Sequence, residues 1–253
     1  MPTRLIDIIA LCEKTLEPEH FRDYCPNGLQ VEGAAQVTKI ISGVTASQAL
    51  IDAAIEQQAQ AVLVHHGYFW KGEDSRITGM KRNRLKALLK NDISLLAYHL
   101  PLDAHGELGN NVRLAQLLGL NIEAGMEPDN DRSIGLVGSL PQALSGDEFA
   151  RHIEVTLGRR PLHIDGSQRL VRRVALCTGA AQDMIGKASE LQVDAYLTGE
   201  VSEPTVHSAR ELGIHFYAAG HHATERYGVQ ALGDYLAAQL SIDHVFIDID
   251  NPV

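Results

Sequence analysis

The chain has 253 residues, of which 45% are hydrophobic, and this suits one large domain or two domains of ordinary size. A formal net charge of −10 argues against a broad nucleic-acid surface, which needs clustered lysine and arginine, but permits a nucleotide held in one local pocket. Three separated cysteines, no signal-peptide pattern and no apolar run of about 20 residues predict a cytoplasmic protein without disulfides or membrane spans.

The first predicted element is an amphipathic helix near the start of the chain. Its expected N-cap is Thr3, and its expected apolar face consists of Leu5, Ile6, Ile9 and Ala10. The segment Pro26-Asn27-Gly28 then predicts a tight turn before a short strand.

The next segment occurs twice. The stretch that begins at Val37 aligns without gaps with the stretch that begins at Val171, and a looser similarity continues through a further helix and strand. Each copy has a βαβαβα pattern, which predicts a largely parallel sheet covered by helices. We therefore predict an α/β fold in which an internal duplication gives two three-layer domains, residues 1–127 and 128–253. We expect these domains to face each other across a cleft that holds the metal site.

The segment between the two copies is polar and rich in turn residues, so we place the domain boundary near residue 128. A strand, a helix with a capping box formed by Ser145 and Glu148, and a short strand should follow. The segment HVFIDID near the end predicts a strand that could join the sheet of either domain.

Metal-binding residue types follow the ends of several predicted strands. His65 and His66 end one apolar run, His99 ends the next with Asp103 four residues on, and His221-His222 ends a third with Glu225 close behind. Because ligands bind beyond the carboxyl ends of parallel strands, these side chains could converge on one pocket. Imidazole and carboxylate ligands suit Zn, Mn, Fe, Co or Ni, and their number is sufficient for two divalent ions per subunit.

Several assignments stay open at this point. A helix that begins at residue 221 would place either His221 or His222 on the same face as Glu225. His99, Glu200 and His222 are candidates for orienting a ligand or for proton transfer. The competing interpretation, histidines that only form hydrogen bonds at strand ends, suits one histidine better than two doublets combined with two carboxylates. No thiolate is expected near the cluster, and no nucleophile elbow, Walker loop or dinucleotide fingerprint occurs.

The segments DYCPNGLQVEG, VLVHHGYFWKG, AYHLPLDAHGELGNN, TGEVSE and AGHHATERYG together resemble the GTP cyclohydrolase 1 type 2 homologues, which are NGG-interacting-factor-like dinuclear-metal proteins. The resemblance covers nearly the whole chain and is strongest to the short bacterial members. It implies a ring-shaped homohexamer, a toroid with metal sites facing an internal cavity. It also implies a defined set of metal ligands: His65, His66, Asp103, His221 and Glu225.

The leading functional hypothesis is a dinuclear-metal-dependent hydrolase that acts on a small molecule. The family name implies opening of the guanine ring of GTP by a metal-bridging hydroxide, so the substrate could be a nucleotide. The alternative is a metal-stabilised ring that serves as a scaffold without turnover. A ring that encircles DNA is a third hypothesis, against which the net charge of −10 argues.

Overall fold

The computed structural model describes residues 2–253 and has a mixed α/β fold. The strands are β1 (Thr3–Arg4), β2 (Gly28–Val31), β3 (Gln36–Val37), β4 (Lys39–Thr45), β5 (Ala61–His66), β6 (Ser94–Ala97), β7 (Asn121–Gly125), β8 (Leu136–Leu144), β9 (Leu162–Ile164), β10 (Val171–Cys177), β11 (Ala195–Thr198), β12 (His215–Ala218) and β13 (Asp243–Phe246). The helices are α1 (Leu5–Leu16), α2 (Gln48–Glu56), α3 (Gly79–Lys90), α4 (Leu100–Ala104), α5 (Asn110–Leu117), α6 (Gly146–Leu157), α7 (Ile185–Glu190), α8 (Glu203–Leu212), α9 (His221–Thr224) and α10 (Arg226–Leu240).

Two compact units make up the fold. Unit 1 contains the chain up to Leu102 together with Gly228–Asp250, and unit 2 contains Asp103–Tyr227 and Asn251–Val253. This division differs from the expected boundary between residues 127 and 128. The polar segment around residue 128 is the connection of an antiparallel hairpin, because β7 on one side of it pairs with β8 on the other.

The main sheet of unit 1 has the strand order β13-β4-β5-β6-β2, in which only β2 runs antiparallel to its neighbour. The central strands are continuous apolar runs, which is typical of strands buried on both faces. Val62, Val64 and Ile41 face a core shared with α2 and α3. The alternate residues Ile40 and Leu63 are also buried. The C-terminal strand, β13, thus belongs to the first sheet.

A chain of hydrogen bonds joins β4, β13 and α10 inside unit 1. The His244 ring lies 2.8 Å from Asp234 Oδ1 through its Nδ1 and 2.7 Å from Ser42 Oγ through its Nε2. Because the carboxylate can only accept, Nδ1 donates to Asp234 and Nε2 accepts from the Ser42 hydroxyl. Ser42 and the His244 side chain are almost fully buried, so this chain of bonds fixes β13 against β4.

The sheet of unit 2 has the order β7-β8-β10-β11-β12-β9 and a parallel centre of β10, β11 and β12. Alternate residues of β10 enter two separate cores. Val174 and Leu176 pack with α5 and α6, whereas Ala175 and Cys177 pack with α7 and α8. Unit 2 therefore has three layers, with helices on both faces of the sheet.

The repeat in the sequence corresponds to a repeat in strand register. Ile40 pairs with Ala61 in unit 1, and Val174 pairs with Ala195 in unit 2, so both partners are displaced by the same number of residues along the chain. The helix that follows each copy, however, is assigned to the other unit. Helix α5 belongs to unit 2, and most of α10 belongs to unit 1.

The N-terminal helix differs from the prediction in its start and in its buried face. Thr3 lies in β1 and donates its hydroxyl to the Leu240 carbonyl, so it is not the N-cap. Leu5 is buried as expected, but Ile6 is 60% exposed. The buried face continues through Ile8, Cys12 and Leu16 instead. The capping box of Ser145 and Glu148 at the start of α6 is confirmed.

Among residues 2–253, no helix combines the length and the apolar character needed to cross a membrane.

Two helical glycines should respond in opposite ways to alanine. A Cβ at Gly233 in α10 would overlap the buried His244 ring, whereas a Cβ at Gly186 in α7 would meet nothing within 4 Å. We expect Gly233→Ala to lower the free energy of unfolding by roughly 1–3 kcal/mol through overpacking. Gly186→Ala, the matched control, should raise it by up to about 1 kcal/mol because alanine loses less backbone entropy on folding. Urea unfolding of both variants measures this, and equal effects would contradict the packing of α10 on His244.

Candidate metal centre

Three imidazoles converge at the carboxyl ends of two neighbouring strands of unit 1. His65 and His66 end β5, and His99 follows β6 by two residues. One ring nitrogen from each of the three lies within 4.8 Å of the others. The ring centroid of His65 lies 4.5 Å from that of His66 and 5.0 Å from that of His99. The parallel pairing of β5 with β6 brings these residues together.

A backbone carbonyl orients the His65 ring. His65 is fully buried, and its Nδ1 lies 2.9 Å from the carbonyl oxygen of Tyr98. Because a carbonyl only accepts, Nδ1 carries the proton and Nε2 keeps its lone pair. A hydrogen bond of this kind behind the ring is the usual partner of a metal-binding histidine.

Gly67 allows the chain to turn away after the doublet. A Cβ at this position would overlap the Gln30 side chain and the Cβ of Ala97. Gln30 in turn accepts from the Tyr68 amide and donates to the Tyr68 carbonyl, at 2.7 and 3.1 Å. Only glycine fits this close approach, which sets the path of the loop beyond His66.

A buried carboxylate orients His99. Asp23 Oδ1 lies 2.7 Å from His99 Nδ1, and the Asp23 side chain is 4% exposed. Asp23 also accepts from the Asn27 side chain at 2.8 Å and from the Leu100 amide at 2.9 Å. Desolvation raises the pKa of Asp23, but the hydrogen bonds from His99 and Asn27, the charge of His99 and the Leu100 amide outweigh it and lower the pKa to about 2.

Asp23 and Asn27 were not predicted from the sequence as parts of this cluster. Their segment was interpreted as a turn at residues 26–28, whereas the bend lies at residues 24–25 and Asn27 donates to Asp23. The available signal was a carboxylate and an amide four residues apart in a segment without a helix or strand pattern.

A thiol lies beside the same pair. Cys25 offers its sulfur within 4.8 Å of ligand atoms of Asp23 and His99. Burial, followed by the charge of Asp23, raises the pKa of the Cys25 thiol to about 12. The group therefore stays protonated at neutral pH. A thiol, but not a thiolate, lies beside His99.

In unit 2, Asp103 is held in place by polar partners. It is 5% exposed, and its Oδ1 accepts from the Asn110 side chain at 2.8 Å and from Thr178 Oγ1 at 3.4 Å. Asn111 connects the same elements, because it donates to the Asp103 carbonyl and accepts from the Thr178 amide. A carboxylate oxygen of Glu225 lies within 4.8 Å of one of Asp103.

Two carboxylates flank His221. Its Nε2 lies 3.1 Å from Glu225 Oε2, and its Nδ1 lies 2.6 Å from Glu200 Oε1. Burial lowers the pKa of His221, but the hydrogen bond and charge of Glu225, followed by those of Glu200, raise it to about 9. In the metal-free chain His221 is therefore an imidazolium, and a metal ion at Nε2 would replace its proton.

Glycine again permits the close packing around Glu225. Gly179 has a φ of +71°, and a Cβ there would overlap Glu225 Oε1. The Gly179 amide donates to Thr224 Oγ1 at 3.1 Å, and this bond fixes the loop after β10 against α9.

Each unit thus brings a part of the predicted set together. Unit 1 gathers His65, His66 and His99, and unit 2 gathers Asp103, Glu225, His221 and Glu200. His221 is the member of its doublet that faces Glu225. His222 is buried next to it, and its backbone amide donates to the Val253 carbonyl.

The donor atoms fit a divalent transition metal. They are imidazole nitrogens and carboxylate oxygens, of which those of His65, Asp103 and Glu225 are buried, and the His65 and His221 rings are oriented through Nδ1 by an acceptor. Such a set suits zinc, manganese, iron, cobalt or nickel.

Asp23 should stabilise the fold in a pH-dependent way. The folded-state pKa of about 2 lies below the ordinary value, so the stabilisation is present above pH 4 and disappears as the pH falls towards 2. We expect Asp23→Asn to cost roughly 1–3 kcal/mol at pH 7 and much less near pH 2.5. Urea unfolding at both pH values measures this, with the exposed Asp129→Asn as control. An equal loss at both values would show that Asp23 acts through packing alone.

Comparison with known proteins shows what this chain is similar to. A family model described as Duf34/NIF3 (NGG1p interacting factor 3) matches residues 3–252. A Pseudomonas aeruginosa protein described as "GTP cyclohydrolase 1 type 2 homolog" is 61% identical over 252 residues, which cover 100% of both chains. The solved structure of a protein described as ybgI, of unknown function, is 53% identical with a TM-score of 0.95 over 99% of this chain and 100% of that one. TTHA1606 from Thermus thermophilus is 31% identical with a TM-score of 0.89, over 99% of this chain and 100% of that one. The resemblance found in the sequence is confirmed, and the chain belongs to the Duf34/NIF3 (NGG1p interacting factor 3) family.

Proposed function

We propose that this protein is a dinuclear-metal-dependent hydrolase that acts on a small molecule. The observation that supports this most is the orientation of the strand-end histidines. His65, His99 and His221 each have an acceptor at Nδ1, so Nε2 is the nitrogen that can serve a metal or a substrate. Histidines that only end strands have no need of such a common arrangement.

The proposed ligands are of two chemical kinds. His65, His66 and His221 are the imidazoles of this set, and Asp103 and Glu225, which are 5% and 2% exposed, are its carboxylates. Two divalent ions need both kinds of ligand, because carboxylates offset the positive charge that imidazoles leave uncompensated. The proposed set is His65, His66, Asp103, His221 and Glu225.

When bound, a pair of divalent ions supplies Lewis acidity for hydrolysis. The chain's own residues then have separate tasks. Glu200 holds the His221 ring through Nδ1, and Asn110 with Thr178 holds the Asp103 carboxylate. These contacts keep the ligands in one geometry and reduce the reorganisation needed on metal binding.

His99 is suited to proton transfer. Asp23 fixes its Nδ1 at 2.7 Å, as the orienting carboxylate does in a catalytic dyad. The Trp70 ring meets the His99 ring edge-on, with the centroids 5.0 Å apart. Trp70 and the 37% exposed Phe69 form an aromatic rim on which a planar substrate could stack.

The relatives and the aromatic rim together support a nucleotide as the proposed substrate class. A relative of 61% identity carries the description "GTP cyclohydrolase 1 type 2 homolog", and this makes opening of a guanine ring the candidate reaction. A nucleotide is compatible with a net charge of −10 only where it binds locally, and we place it between the aromatic rim and the histidines.

We also propose a cytoplasmic ring-shaped homohexamer. The three cysteines are free and buried, as expected in a reducing compartment. Large apolar side chains on and before α3 are exposed and suited to a subunit interface, namely Ile77, Met80 and Leu89. Sedimentation velocity of the purified chain tests the assembly, and a monomer would exclude it.

Asp103→Asn should weaken metal binding and remove activity. Loss of the negative charge should reduce bound metal from about two ions to one or fewer per chain and abolish turnover, because a neutral amide is a poorer ligand for a divalent ion than a carboxylate. Protein loaded separately with Mn, Fe, Co, Ni or Zn is analysed for metal content and screened against nucleotides, phosphoesters and cyclic amidines. Asp129→Asn is the control.

The same variant distinguishes the two leading hypotheses. Loss of turnover with the hexamer intact supports the enzyme. Loss of assembly alone, in a protein that turns over no compound in any metal form, supports the scaffold and contradicts our proposal.

His99→Gln should lower kcat about 10²–10⁴-fold and leave KM and metal content close to wild type, as expected for a proton-transfer group. Asp23→Asn should lower kcat by a smaller factor, because the ring remains but is less firmly oriented. Elemental analysis and steady-state kinetics of both variants measure this. A loss of one metal ion in His99→Gln would instead assign His99 as a ligand.

A further inference from the structure

A second group of metal-type side chains lies elsewhere in unit 2. His163 comes from the edge strand β9, Asp165 follows that strand, and His215 begins β12. One ligand atom from each of the three lies within 4.8 Å of the others. His221 comes after the carboxyl end of β12, so the group around His215 occupies the opposite end of that strand.

Hydrogen bonds fix which His215 nitrogen faces the group. His215 Nε2 lies 2.9 Å from the Arg169 carbonyl oxygen, so Nε2 carries the proton and donates. Nδ1 is then a lone-pair acceptor. It lies 3.4 Å from Asp165 Oδ1 and 3.2 Å from His163 Nε2.

The His163 ring is held in a comparable way. Asp147 Oδ1 lies 3.6 Å from His163 Nδ1 and favours a proton there, and the ring stacks on Tyr217 with the planes 9° apart. His163 Nε2 is then also an acceptor. Two ring nitrogens and a carboxylate oxygen, all acceptors, therefore face one another. A single added proton could form a hydrogen bond between two of these atoms but would leave the third without a donor.

The spacing of these atoms matches a metal ion. Donor atoms that bind one zinc ion tetrahedrally at about 2.0–2.1 Å lie about 3.3 Å from each other. The two distances measured from His215 Nδ1 are 3.2 and 3.4 Å. A pocket of about 200 Å³ opens beside the group and leaves room for a water molecule as fourth ligand.

We infer that His163 Nε2, His215 Nδ1 and Asp165 Oδ1 form a separate mononuclear site for a zinc-like divalent cation. The carboxylates decide between a cation and an anion. Asp165 and Asp147 both point their oxygens at the imidazoles and would repel a phosphate. A cation is attracted by both and also satisfies the facing lone pairs.

The site would join the edge of the sheet to its centre. β9 pairs with β12 through only three residues, and the ligands add one link from β9, one from the following loop and one from β12. An ion here stabilises the folded state in proportion to the logarithm of its concentration over its dissociation constant. The same three ligands leave an open position, as in catalytic rather than structural zinc sites.

The test measures zinc bound by the full chain during equilibrium dialysis against ZnCl₂, followed by elemental analysis. Asp165→Asn is the principal variant because Asp165 is 60% exposed, so its replacement should leave the fold intact. His163→Gln is the second variant. The control is His207→Gln, which removes an exposed histidine that pairs with Glu203 on the same helix.

We expect Asp165→Asn and His163→Gln each to bind about one zinc ion fewer per chain than the wild type, while His207→Gln binds the same number. Combination of Asp165→Asn with Asp103→Asn should remove zinc additively, so the result does not depend on the dinuclear centre. Cobalt substitution gives a second readout, the visible absorption of a tetrahedral ion, which should weaken in the same two variants. Unchanged zinc content and cobalt absorption in folded Asp165→Asn and His163→Gln would overturn the inference.

Discussion

The candidate metal-binding residues depend on one recurring interaction, an acceptor placed behind three of the histidine rings. The Tyr98 carbonyl does this for His65, Glu200 for His221 and Asp23 for His99. Each acceptor fixes both the tautomer and the rotation of its ring, so that the second nitrogen faces in a constant direction. The parallel strands supply the other requirement, because their carboxyl ends lie at one edge of each sheet. The strands therefore set where each histidine lies, and the acceptors set which way its second ring nitrogen faces.

The buried carboxylates of unit 2 are costly to fold without a cation. Asp103 and Glu225 are nearly buried, and their oxygens approach within 4.8 Å. Their charges also raise the pKa of the Cys177 thiol, after burial, which is the largest cause. Hydrogen bonds from Asn110 and the imidazolium of His221 offset part of this repulsion. Removal of such compensation from a buried charge is strongly destabilising, so metal binding and folding should be thermodynamically coupled.

Local pattern was sufficient to predict the repeated strands, the helices between them and the histidines at the strand ends. It was insufficient wherever a tertiary contact decided the outcome. Asp23 meets His99 across 76 residues, and no local period reports such a pair. The segment near residue 128 has the composition of a linker, yet it connects two strands that pair with each other. Ile6 was assigned to the apolar face of α1, although the packing selected Ile8.

The chain of hydrogen bonds that joins β4, β13 and α10 also bears on how enzymes are identified from their structures. Ser42, His244 and Asp234 have the connectivity of a serine-protease triad, with contacts of 2.7 and 2.8 Å. Yet the hydroxyl is inaccessible inside a central strand, and Gly233 of α10 lies directly over the ring. A template search by interatomic spacing would select these three residues as a nucleophilic centre that no substrate can reach. Access to solvent, rather than spacing, separates a triad that reacts from one that only holds two strands and a helix together.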